Sequence, residues 1–99
     1  MDITCTLATD DLADQRARWL RLITASAVAR DETPTGLRLR FRAGAGVARE
    51  LEQLVAVERR CCAWATWDIE PGRGEVALAI GSTGDGVAAL HSMFAEAAL

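Results

Sequence analysis

The chain has no excess of basic residues: 11 stand against 14 acidic ones, for a formal net charge of −3. A protein that grips nucleic acid by its phosphates needs a basic surplus, so this balance argues against a general nucleic-acid binder. No apolar run approaches the about 20 residues that a bilayer demands, which argues against a membrane span. Met1-Asp2-Ile3-Thr4 has neither the charged nor the apolar region of a signal peptide, and the expectation is a cytoplasmic protein. The glycines at 81, 84 and 86 match neither G-x-x-x-x-G-K-[ST] nor G-x-G-x-x-G, so a phosphate cradle is not expected. There is no C-x-x-C pair, which removes the usual thioredoxin and zinc-ribbon readings. Internal repeats, linkers and low-complexity tracts are also missing.

What remains is an ordinary globular composition, 51% apolar and 25% charged over 99 residues, enough for a single domain spanning residues 1–99. Residues 2–7 alternate, with Ile3, Cys5 and Leu7 on one side, and read as a half-buried strand. Thr9-Asp10-Asp11 opens a helix whose buried stripe is expected to be Leu12, Trp19, Leu20, Ile23 and Ala27. Residues 31–36 are a polar break containing Pro34 and Gly36. Leu37, Leu39 and Phe41 then alternate with Arg38, Arg40 and Arg42, the clearest strand signal in the chain. Gly44-Ala45-Gly46 leads into a second helix reaching Ala63. Strands over 65–70 and 75–80 flank a Pro71-Gly72-Arg73-Gly74 turn, and a last helix carries Val87, Leu90, His91, Phe94 and Ala98 on one face.

The order β-α-β-α-β-β-α predicts an α/β (α+β) fold: a two-layer sandwich with a single four-stranded mixed sheet covered on one face by helices. The arginine stripe is then a wet sheet face, where Asp68, Glu70 and Glu75 would pair with Arg38, Arg40 and Arg42 if their strands are neighbours, each exposed pair worth at most about 1 kcal/mol.

The second helix holds the chemistry. Val47, Leu51, Leu54, Val55, Glu58 and Cys62 fall at helical spacing on one face, and Glu58 is the charged exception on a stripe that should meet the core. It lies three residues before Cys61 and four before Cys62, within reach of both sulfurs. One explanation is a stripe turned so that Glu58 sits at its edge, paired with Arg16, Arg59 or Arg60. The other is a buried carboxyl with a raised pKa, acting on the thiols as ligand or proton acceptor.

Cysteine is often a small buried hydrophobe, so a single one means little. Here two are adjacent, and Cys5 is placed on the inward face of the first strand. An odd number of cysteines in a reducing compartment favours thiols over disulfides. A Cys61–Cys62 bridge would close a strained ring. Adjacent helical residues diverge by about 100°, so both sulfurs can meet only where the helix end loosens. Soft thiolates select Cu(I), Zn(II) or Hg(II). Cys5, Cys61 and Cys62 would then supply sulfur, with Glu58 as a fourth ligand or as the base that deprotonates a thiol. His91, the single histidine, reads as a hydrogen-bonded core residue, or else as a metal ligand or a hydrogen-bond partner of the ligands near the cysteines. Trp64 and Trp67 are core anchors that would also wall the thiols from water.

The stretch Glu58-Arg59-Arg60-Cys61-Cys62-Ala63-Trp64-Ala65-Thr66-Trp67 resembles the E-x-x-C-C-x-[FW]-x-x-[FW] signature of a group of small, mostly uncharacterised bacterial proteins. Thr4-Cys5-Thr6-Leu7, a first helix rich in Arg and Trp, and the Gly36-Leu37-Arg38-Leu39-Arg40-Phe41 strand are similar too. The resemblance implies that Cys5, Glu58, Cys61 and Cys62 act together, and brings no established activity. Tryptophan stands at 64 and 67 where phenylalanine is commoner in the group. A looser similarity, in donor types and not in spacing, is to organomercurial lyase, which also uses two cysteines and a carboxylate.

These features lead first to a small protein that binds a soft metal ion through Cys5, Cys61, Cys62 and Glu58. The second reading is a thiol-dependent enzyme with Cys61 or Cys62 as nucleophile and Glu58 as base. The third is a non-catalytic interaction module, a homodimer formed through the sheet.

Overall fold

The structure, a computed structural model, describes residues 9–94, in the order α1 (Thr9–Ser26), β1 (Ala27–Thr33), β2 (Gly36–Arg42), α2 (Val47–Cys61), β3 (Thr66–Pro71), β4 (Glu75–Gly81) and α3 (Asp85–Met93). The strands form one four-stranded sheet in the order β1-β2-β4-β3. Every pairing in it is antiparallel, where a mixed sheet was expected. The α+β class and the single sheet with helices on its apolar face are as the pattern predicts. The strand expected over residues 2–7 lies outside the described residues.

Alternation decides which face is which. Leu37, Leu39 and Phe41 of β2, with Val76, Leu78 and Ile80 of β4, point inward and are buried. Trp67 of β3 joins them. Over this layer α1, α2 and α3 pack, closing a core that includes Trp19, Leu51, Leu54, Val55 and Leu90. Trp19, Trp67 and Phe94 form an aromatic cluster within it, with ring centroids 5.7–6.3 Å apart.

The outer face carries the arginine stripe. Strands β2 and β3 are not neighbours; both flank β4, which presents Ala77 and Ala79 there. Over these small side chains Arg38 reaches Glu70 of β3 at 3.3 Å, while Arg40 pairs with Glu75 of the adjacent β4 at 3.5 Å. Both pairs are largely exposed, so they contribute little to stability.

Ala27–Thr33 is strand, where a helix end and a polar break were expected. Its register against β2 slips between Ala27 and Ala29, and it places Arg30 and Glu32 opposite the inward Leu39 and Leu37. Arg30 stands at the margin of the core and donates to the Phe94 and His91 carbonyls at the end of α3, besides pairing with Glu32. A guanidinium on the last carbonyls of a helix satisfies acceptors that have no partner within it. The buried stripe of α1 is also turned from the expected one. Gln15, Trp19, Leu22 and Ile23 are buried, whereas Leu20 is exposed.

Candidate metal centre

Helix α2 is amphipathic, and its buried face is Val47, Leu51, Leu54, Val55, Glu58 and Cys61. Glu58 therefore sits within the stripe, 3% exposed, and not at its edge. The alternative pairing with an arginine is not formed among the described residues. Arg59 donates to the Trp67 carbonyl, and Arg16 acts on the carboxyl only as a nearby charge.

The helix stops at Cys61, and Cys62 leaves helical geometry at φ −124° and ψ 59°. Its amide still closes the last turn on the Glu58 carbonyl at 2.7 Å. This departure at the helix end is where two adjacent side chains can turn toward one point. The two sulfurs are 3.9 Å apart, too far for a bond between them. The Cys62 Sγ is 4.0 Å from Glu58 Oε1. One donor atom from each of Glu58, Cys61 and Cys62 lies within 4.8 Å of the others, and all three residues are buried.

The carboxyl is poorly satisfied. Burial pushes its pKa above the usual carboxylate range; the Gln15 amide, the Trp19 indole and the Arg16 charge oppose this without cancelling it. Gln15 Nε2 also donates to the Leu54 carbonyl at 3.1 Å. Glu58 Oε2 and Trp19 Nε1 are buried with no hydrogen-bond partner among the described residues. A buried oxygen in that condition costs about 1–3 kcal/mol, and a bound cation would relieve it.

The structure thus brings together three of the residues singled out in the sequence. Cys5 lies outside the described residues. His91 is not among the clustered donors: its Nε2 donates to the Gly36 carbonyl at 2.6 Å, tying α3 to the start of β2. Trp64 is buried, and its carbonyl accepts from Ser82 Oγ at 2.8 Å, fixing the turn just after the cysteines. Sequence reasoning missed Gln15. It lies four residues before Trp19 on the same helical face, and that spacing was the available signal.

No helix among the described residues is long and apolar enough to cross a membrane. Comparison of the chain with known protein families, with curated proteins and with solved structures finds no match.

Proposed function

We propose that the protein binds a soft metal ion, Cu(I), Zn(II) or Hg(II), through Cys61, Cys62 and Glu58. Cys5 is the further sulfur ligand expected from the sequence. The observation that carries this reading is the buried cluster itself: two sulfurs and a carboxyl within 4.8 Å, at the end of a helix. Apolar packing gains nothing from Glu58 at that place. A cation gains two thiolates, a carboxylate and the negative end of the α2 dipole. With no substrate-sized motif in the chain, the binding would serve a sensor, a scavenger or a carrier.

Anaerobic titration of the reduced protein with each of the three ions tests the proposal. Binding tighter than about micromolar is expected, as thiolate donors give soft ions. Cys61→Ser and Cys62→Ser should each weaken it strongly. Parent-like affinity in either serine variant, or no binding by the parent, overturns it.

The contact of Cys62 Sγ with Glu58 Oε1 also supports the second reading, a thiol nucleophile served by a carboxylate base. Burial of both groups favours a held ion over an attacking thiol, because a substrate must reach the sulfur. The pH dependence of iodoacetamide alkylation separates the two readings. A nucleophile shows a thiol pKa well below about 8.5, and ordinary behaviour at all three cysteines removes the enzyme.

A further inference from the structure

Two sulfurs held 3.9 Å apart limit the angle at any ion that binds both. With metal–sulfur bonds of about 2.3 Å, that separation corresponds to a sulfur–metal–sulfur angle of roughly 115°. Tetrahedral and trigonal centres have such angles. A linear bis-thiolate centre, the arrangement favoured by Cu(I) and Hg(II) with two sulfurs, would need about 4.6 Å on the same bond length. Both cysteines are packed into the core, with Cys61 5% and Cys62 1% exposed, so widening the gap disturbs buried neighbours.

Glu58 is the independent second observation. It places a hard oxygen beside both sulfurs, and its Oε2 is buried without a partner among the described residues. Carboxylate oxygen is a weak ligand for soft monovalent Cu(I) and a good one for divalent ions. Charge points the same way. Deprotonated for ligation, Glu58, Cys61 and Cys62 each carry a negative charge, and a divalent ion leaves one fewer of the ligand charges uncompensated than a monovalent ion does. In a buried place at the negative end of a helix, the smaller residue of charge is favoured.

We propose that Glu58 is a direct oxygen ligand, and that with Cys61 and Cys62 it supplies three of the ligands of a bent, near-tetrahedral site for a divalent ion of the zinc type in preference to a linear bis-thiolate. This rests on the metal-binding reading above and assigns that site its class of ion.

The test compares the parent with Glu58→Gln, Glu58→Asp and Cys61→Ser, each checked for folding by circular dichroism. Zn(II) and Cu(I) affinities are measured by competition with chromophoric chelators, and the visible spectrum is recorded with Co(II). The Co(II) parent should show the intense ligand-field bands of a four-coordinate, sulfur-containing centre. Glu58→Gln should weaken Zn(II) about tenfold or more and Cu(I) less than about threefold, as loss of one oxygen ligand implies. Glu58→Asp should fall between parent and glutamine for Zn(II), and it serves alone if the glutamine variant fails to fold. Zinc affinity unchanged in the Glu58 variants but lost in Cys61→Ser overturns the carboxylate ligand and leaves metal binding standing. A parent that binds neither ion removes the metal-binding reading itself, and this inference with it.

Discussion

A carboxyl group that is 3% exposed must find a cation, accept hydrogen bonds or keep its proton. In metal-free protein Glu58 has no ion pair among the described residues, and burial holds its pKa above the ordinary range. The folded state then binds the proton more tightly than the unfolded chain does. The resulting stabilisation is present in full below the ordinary carboxylate pKa and is lost as pH rises through the raised folded value. Chelator-treated protein should therefore lose stability on raising pH across that window, and Glu58→Gln should not. Above the window the glutamine variant should be the more stable by about 1–3 kcal/mol, the usual cost of one buried unsatisfied group. Urea melts of both proteins from about pH 4 to pH 8, on either side of an ordinary carboxylate, measure this. Parallel curves would mean that Glu58 is satisfied in solution. The place of Glu58 was legible because four strong apolar residues fix the phase of α2. Gln15 was harder to read: its spacing to Trp19 was a signal, but a polar side chain adds nothing to an apolar stripe.

At the scale of elements, legibility followed burial. β2 and β4 lie at the centre of the sheet, and their alternation is clean. Among the described strands β1 lies at the edge and carries an irregularity, and opposite the inward leucines of β2 it has Arg30, which serves the end of α3, and Glu32, which pairs with Arg30. A period-2 apolar signal cannot arise there, so Ala27–Thr33 resembles a loop in sequence. α1 was misphased for a related reason: Gln15 holds a buried position by bonding the Leu54 carbonyl of α2. Gln15→Ala should cost about 1–3 kcal/mol in urea unfolding, because a buried acceptor loses its donor and the α1–α2 contact loosens. His91→Ala should cost about 1 kcal/mol for the lost bond to Gly36. It should leave zinc affinity within about twofold of the parent, unlike the loss of about 10- to 100-fold that follows removal of a residue hydrogen-bonded to a metal ligand. A large loss of affinity in that variant would return His91 to the metal site.

For the whole molecule, a site at one helix end acts on the elements it joins. A chain of this length has a small core and marginal stability, and the exposed pairs on its outer sheet face add little. Its α2 site lies where α1, α2 and the turn into β3 converge, so an ion held there would tie those elements together. Binding to the folded state alone stabilises it by about 2.7 kcal/mol when free ion is a hundredfold above Kd. For a chain of this length that corresponds to a rise in Tm of about 10–20 °C. Unfolded cysteines also bind zinc and would reduce the rise. Calorimetry of the reduced protein with and without Zn(II) should show the higher transition, its reversal by chelator, and its absence in Cys61→Ser. Because Glu58 is the group that destabilises the empty protein, Glu58→Gln should raise the metal-free Tm at neutral pH and narrow the response to zinc. Opposite movements of these two quantities in one variant would identify a residue kept for the ion and not for the fold. A variant that lowers both would mark Glu58 as part of the packing alone.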